Sequence, residues 1–546
     1  MHSFLGSLSI LATSLALVGA SPTAELPLGK VLGTTCPNGA SAFISVPFAV
    51  PPVGNLRWTS PQAYNQSFPG GTYNATTPVW IYGGGQQGGG IQNPLFNGCS
   101  LAAHDALLVS INYRLGPLGY LTVDDAGIGG NFAIQDLILG LEWVQSHIAA
   151  FGGDPKKVVL FGESAGATNV FILSTLPQAP SLFNAAVWES GAGPQLATPE
   201  VVNTYGTSYA SKFNCTINVA ACLRAVTYQT LVATAPLQPF SIIYSGINVV
   251  DFQPHVDGTT IPAQPWSVGP KVPMIFGSNI NEGGLFALGA YLTPVVSADN
   301  YTTFLNQNFG TAANLVAKQY PLTLPQFTAP GKAGSPASPA FEAISAIITD
   351  AQFTCPLYQA MLKAEAINMP VYTYLNKHVP HCPWQASPPP AALLLIGATH
   401  TSEIPLVFGN GINQPLISAN GSCNFTAAET TISETLIAAW TSMAASGTPN
   451  VGGWAKWSNS SSQGLVIGAN ATSVGAIDYS FCQFWDMINA EYLSFTNSSS
   501  TNGTSGNGSG GSGSGSGTKS GSEKGVEMEL WGLTMVVGIV ISVLIS

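Results

Sequence analysis

Residues 161–170 read FGESAGATNV and set Ser164 midway between Gly162 and Gly166. A serine hydroxyl is a poor nucleophile until a base takes its proton. The chemistry these residues suggest is therefore acyl transfer, with a histidine as base and a carboxylate to orient it. In a chain of 546 residues with 60 glycines the pattern G-x-S-x-G is weak alone, so its flanks must supply the specificity. The order serine, acid, histidine narrows the partners. Of seven histidines, His2, His104 and His147 precede the serine, which leaves His255, His378, His381 and His400. His400 stands in GATHTSEIPLVFG, a loop bounded by glycines after the apolar run ALLLIG, which reads as a strand. Glu282 stands in VPMIFGSNINEGGLF, just past another predicted strand and beside two glycines.

The elements that must position these groups are legible around the serine. KVVLF (157–161) is a short valine-rich run and reads as a buried parallel strand. AGATNVFILSTL follows with small residues and then apolar positions at helical spacing. A strand, a glycine-flanked turn and a helix together form an elbow. The chain turns steeply, the hydroxyl stands at the carboxyl edge of a sheet, and the helix N-terminus faces developing negative charge. Upstream, PVWIY (78–82) reads as a second strand running into GGGQQGGG (83–90). Neither G-x-G-x-x-G opening a helix nor a P-loop lysine is present there. The loop is read instead as one wall of an oxyanion hole, its N–H groups joining that of the residue after the serine.

Composition bounds the partners. Charged residues are only 8 %, well below the usual quarter. Eleven N-x-S/T sequons (Asn65, Asn74, Asn214, Asn300, Asn420, Asn424, Asn459, Asn470, Asn497, Asn502 and Asn507) offer N-glycans as the solubilising coat of an exported chain. A net charge of −11 with no basic patch excludes a nucleic-acid partner. No Cys/His cluster has zinc-site spacing, and neither metal nor other cofactor is expected. Residues 1–20 read as a signal peptide, with an apolar run from Phe4 to Val18 and small residues before a cut near Ser21. A body follows over 21–495, and then a Gly/Ser-rich linker over 496–522. The apolar tail over 523–546, with no basic residue after it, reads as a GPI signal with attachment near Gly517 to Ser522; a single-pass helix is the alternative. The expected place is secreted and held at the cell surface, on the plasma membrane or wall. Eight cysteines in such a chain are read as disulfides. Cys215 and Cys222 are near enough to close a small loop; the other pairings do not follow from spacing.

Several segments together resemble the type-B carboxylesterase family, which includes fungal lipases and cholinesterases. They are VPFAVPPVGNLRW (46–58), PVWIYGGG (78–85), LLVSINYRLGPLGYL (107–121), the long run 129–167, SLFNAAVWESGAG (181–193), GSNINEGGLF (277–286), TDAQFTCP (349–356) and THTSEIPLVFG (399–409). The resemblance implies an α/β-hydrolase fold, a central and mostly parallel sheet flanked by helices. It implies Ser164 as nucleophile, His400 as general base and Glu282 as its orienting acid. The oxyanion donors would be the amides of Gly84, Gly85 and Ala165, with Glu163 and Ser190 supporting the site. It also implies the disulfides Cys215–Cys222 and Cys355–Cys482, which leaves Cys36 to Cys99 and Cys382 to Cys423.

One departure stands out. The family carries a long segment between LRW and the strand before GGG, including a cysteine loop and a core strand written SEDCLYLNV. Here only TSPQAYNQSFPGGTYNATT (59–77) separates Trp58 from Pro78, so that strand is missing. Its loss removes buried area and opens ladder edges, unless TYNATTPVW shifts to replace it. The choline-binding tryptophan of cholinesterases lies in the same missing region, which argues against choline esters. Gln86 stands where an aromatic often follows the three glycines, and is read as making the pocket mouth more polar. The functional expectation is a serine carboxylic-ester hydrolase acting on small-molecule or lipid esters. The alternatives are a hydrolase-like surface recognition or adhesion protein, and a glycan-coated structural protein.

Overall fold

Runs of consecutive apolar residues, rather than alternating ones, mark strands covered on both faces, and four such runs build the centre of this chain. The structure, a computed structural model, describes residues 21–489 except 44–45, 68–71, 75–79, 105, 194, 236–251, 329–336, 385–389, 394 and 412–423. The expected signal peptide, the linker and the apolar tail lie outside the described residues.

Near the N-terminus β1 (Thr23–Leu26) pairs antiparallel with β2 (Gly29–Leu32), and β3 (Thr72–Asn74) pairs parallel with β2. The main sheet is built from β4 (Val159–Glu163), β5 (Ala185–Glu189), β6 (Met274–Asn279), β7 (Val371–Asn376), β8 (Gln463–Ile467) and β9 (Thr472–Ala476). Their order is β9-β8-β7-β6-β5-β4, parallel throughout except for the edge hairpin β8–β9. Every residue of β4, β5 and β6 is buried, as a sheet with helices on both faces requires. This is the expected α/β-hydrolase architecture.

Helices cover the sheet. α1 (Phe132–His147) precedes β4, and α2 (Ala165–Thr175) leaves the elbow with all its residues buried, as a helix packed on every side must be. α3 (Gly283–Tyr291) follows β6, and α4 (Cys355–Ala366) precedes β7. α5 (Ile404–Phe408) and α6 (Ala427–Ser446) come after the loop carrying His400. α6 starts on a capping box, with Thr426 and Glu429 satisfying each other's backbone N–H.

Beyond β4, among the described residues, Ile81 forms a parallel bridge with Gly162, and Ile111 N–H donates to Trp80 C=O at 3.0 Å. Of the strand expected over 78–82, residues 78–79 lie outside the described residues. Thr72–Asn74 does not replace the lost strand, because it pairs in the small N-terminal sheet instead. Disulfides join Cys36 to Cys99, Cys215 to Cys222 and Cys355 to Cys482, as expected. Cys382 is also disulfide-bonded. Its expected partner, Cys423, lies outside the described residues.

Candidate active site

The carboxyl edge of the sheet is where the site forms. β4 to β7 each end on a buried polar residue, Glu163, Glu189, Asn279 and Asn376 in turn. In open α/β sheets this edge is where ligands bind.

Ser164 follows β4 directly and caps α2, with φ 57° and ψ −125°. A non-glycine residue there stores roughly 1–3 kcal/mol of strain and persists only when its surroundings fix it. Here its N–H donates to Glu189 C=O at 2.9 Å and its own C=O accepts from Thr168 N–H at 3.0 Å. The flanking glycines are a matter of space. A Cβ at Gly162 would come within 2.9 Å of Ile81 C=O, and one at Gly166 would collide with the same carbonyl. Gly83 faces the serine itself, since a Cβ there would lie 2.8 Å from Ser164 Cβ.

Gly84 (φ 109°) and Gly85 (φ 61°) continue the loop in conformations that favour glycine. Gly84 C=O accepts from the N–H groups of Gln87 and Gly88, both at 3.1 Å, which closes a tight turn. The N–H groups of Gly84, Gly85 and Ala165 donate no hydrogen bond among the described residues. These are the three amides that the oxyanion reading names. One expectation is corrected here: Gln86 is only 1 % exposed and turns inward, so it adds no polarity to the pocket mouth.

The acid and base come together from two loops. His400 Nδ1 lies 2.7 Å from Glu282 Oε2, and Glu282 Oε1 also accepts from Asn279 N–H at 2.6 Å. Glu282 is fully buried at the start of α3. The run ALLLI before His400 is not the expected strand, because Pro390–Leu393 is a short helix. A parallel bridge between Asn281 and Thr399 holds the base beside the acid instead. Rings of Phe286 and Phe353 flank the imidazole at 5.0 and 4.9 Å. Its other nitrogen, Nε2, lies 3.1 Å from Glu163 Oε1, close but not aligned as a hydrogen bond. No hydrogen bond joins His400 to Ser164 Oγ among the described residues. The remaining histidines go elsewhere: His378 Nε2 and the His381 N–H meet Glu429, and His255 is tied to Asn131.

Beneath the base lies a polar lattice, most of which the sequence did not reveal. Ser190 Oγ donates to Glu403 Oε1 at 3.0 Å, and Asn279 Nδ2 donates to Glu403 Oε2 at 2.7 Å and to Ser190 Oγ at 3.2 Å. Asn376 Nδ2 donates to Asn279 Oδ1 at 2.6 Å and to Ser402 Oγ at 3.1 Å. Glu189 Oε1 accepts from Trp440 Nε1 at 2.7 Å. Burial pushes Glu403 up to about 7, helped by the charge of Glu282 and opposed by the Asn279 amide. Burial, and then the neighbouring carboxylates, hold Glu163 well above the usual carboxylate range. Glu189 is raised in the same way, with Trp440 opposing. Spacing held one signal for Glu403, three residues after His400 in THTSE. Among the described residues no group of three or more His, Cys, Asp or Glu side chains could hold a metal ion.

An elbow on a parallel sheet, a facing glycine loop and a buried carboxylate–imidazole pair define a hydrolase-type site on an α/β-hydrolase fold. The carboxylesterase family profile matches residues 20–78 and 75–485, and the chain belongs to that family of carboxylic-ester hydrolases. The two matched segments overlap at residues 75–78. The chain is 27 % identical to a cholinesterase of Mus musculus over 86 % of this chain and 87 % of that protein. It is 29 % identical to the bile salt-activated lipase of Rattus norvegicus, covering 74 % and 69 % of the two chains. With the fumonisin B1 esterase of Sphingopyxis macrogoltabida it shares 28 % identity over 78 % and 82 %.

Proposed function

We propose that this chain is a serine carboxylesterase working through an acyl-enzyme. Ser164 Oγ attacks the ester carbonyl while His400 takes its proton. The resulting oxyanion is received by the amides of Gly84, Gly85 and Ala165. His400 then returns the proton to the leaving alcohol, and in the second half-reaction activates water to release the acid. Glu282 fixes the imidazole through Nδ1 and stabilises its cation. Glu163 and Ser190 serve as supports. The observation that carries this reading is the buried 2.7 Å contact between His400 Nδ1 and Glu282 at the same sheet edge as the strained Ser164.

The proposal extends to place. The N-terminal apolar run, the eleven sequons, the disulfides and the Gly/Ser linker before an apolar tail support a secreted, N-glycosylated chain tethered through a lipid anchor. Small-molecule or lipid esters are the substrates proposed, and the loss of the choline-binding region favours non-choline esters. A second reading, a hydrolase-like shell used for recognition, is favoured by the shortened junction over 59–77.

The test is hydrolysis of p-nitrophenyl butyrate by the chain expressed in a secretory host, beside Ser164→Ala. Loss of roughly 10⁴-fold or more in kcat in the variant is the expected result. Folded protein without activity in either form favours the recognition reading. Release from cells by a phosphatidylinositol-specific phospholipase tests the anchor, and material that stays on the membrane rejects it.

A further inference from the structure

Gln86 is the first residue after the three glycines, and its side chain is buried with every hydrogen-bonding position filled. Nε2 donates to Ala165 C=O at 3.1 Å and to Asn169 Oδ1 at 2.8 Å. Oε1 accepts from Tyr120 OH at 2.6 Å and from Asn169 Nδ2 at 3.1 Å. A backbone carbonyl can only accept, so Ala165 fixes which end of the amide is nitrogen. Two donors and two lone pairs are thereby all used. The Gln86 and Asn169 carboxamides form a reciprocal pair, and Asn169 is itself fully buried one turn along α2 from Ala165. The backbone of Gln86, at φ 65°, also accepts from Gly116 N–H at 2.7 Å.

We propose that Gln86 is the positioning residue of the oxyanion hole, locking the glycine loop to the first turn of the nucleophile helix. This rests on the esterase reading above. The hole is assembled from two segments: Gly84 and Gly85 on the loop, Ala165 on α2. Between those segments the described residues show a sheet bridge, Ile81 to Gly162, which lies before the glycine turn. Gln86 adjoins Gly85 in sequence and grips Ala165 and Asn169 directly, so it sets the distance between the two walls. Donors aimed at an oxyanion act only when they converge on its position, and each well-placed donor is worth roughly 10²–10³ in kcat. A loop that drifts by a fraction of an ångström loses part of that factor while still binding the ester ground state.

The experiment uses the full chain, with Gln86→Met to keep the volume and remove the amide, and Tyr120→Phe to remove one hydroxyl from Oε1. Active sites are counted by fluorophosphonate titration. kcat and KM per site are measured with p-nitrophenyl butyrate, and inhibition with an aryl trifluoromethyl ketone, whose hemiketal oxygen occupies the hole. Gln86→Met is expected to lower kcat about 10- to 100-fold, by the partial loss of a donor. KM should move little, and trifluoromethyl ketone affinity should fall by the same factor as kcat/KM. Tyr120→Phe should follow the same pattern with a smaller loss. A merely structural role would reduce the number of titrated sites and leave kcat per site and ketone affinity unchanged, which overturns the proposal. If Gln86→Met does not fold, Tyr120→Phe decides in the same way. An unmodified chain that titrates no site would defeat the esterase reading itself, and this inference with it.

Discussion

The two flanks of Ser164 are held by different means. On one side β4 pairs with β5 in register from Val159–Ala185 to Glu163–Glu189, and the ladder continues through β6 and β7. A backbone ladder runs through that side, and the polar residues at its strand ends join the lattice beneath His400 and Glu282. On the other side the described residues show the Ile81–Gly162 bridge, and buried side chains add to it. Gln86 clasps α2, Tyr82 and Tyr113 stack at 4.9 Å while Tyr113 OH donates to Tyr82 C=O at 2.7 Å, and Arg114 reaches Asp136 of α1. The difference teaches that one candidate site can be framed by backbone ladder on one flank and largely by buried polar side chains on the other. Each of those contacts must then be fully satisfied, because an unpaired buried group is expensive.

The sharpest break on the ladder side is Glu282→Gln. A neutral amide cannot stabilise the imidazole cation and accepts the wrong tautomer, so kcat should fall roughly 10⁴-fold with little change in Tm. A loss below tenfold would show that Glu282 does not orient the base. On the bridge side the corresponding break is Arg114→Met. Arg114 Nε and Nη2 donate to Asp136 at 2.8 and 2.7 Å, and Nη1 donates to Thr59 C=O at 2.9 Å, in buried surroundings. Removing one partner leaves a buried charge, so urea unfolding should report a loss of about 3–5 kcal/mol. Less than 1 kcal/mol would mean this flank does not lean on the pair.

The smallest effect sharpens the contrast through pH. Glu403 has an ordinary value of 4.5 unfolded and about 7 folded. The folded state therefore holds the proton more tightly between those values. Its stabilising contribution is full below 4.5 and lost as pH rises through about 7. Glu403→Gln removes that dependence. The stability of the variant relative to the parent should rise across this window, by on the order of 1–3 kcal/mol, and stay level outside it. A relative stability that does not change with pH would place the ionisation elsewhere in the lattice.

The strand, elbow and helix around Ser164 were readable because their signals are local: a valine-rich run, small flanking residues and helical spacing within 20 residues. Glu282 was readable for the same reason, standing just past β6. The run ALLLI was misread as a strand, since a short apolar run looks alike in a buried strand and a buried helical turn. Trp80–Tyr82 carries the composition of a strand, and it meets Gly162 through Ile81 and Ile111 through Trp80 C=O, with residues 78–79 outside the described residues. Gln86 was misplaced because a polar residue reads as exposed unless its partners are known. Those partners, Tyr120, Ala165 and Asn169, stand far along the chain from it. Asn279 and Asn376 escaped notice on the same ground, since each is an ordinary amide until two strands meet.

The Cys36–Cys99 bridge also bears on the flank of Gln86. It closes a loop spanning 63 residues that contains both the shortened junction and Gly84, Gly85 and Gln86. In the chain-entropy view a loop of that length contributes about 4 kcal/mol. The flank that leans on side-chain contacts is thus also sewn shut by a covalent thread. Its integrity becomes a question of redox compartment: among reducing thiols the same sequence would have to close this loop without that thread.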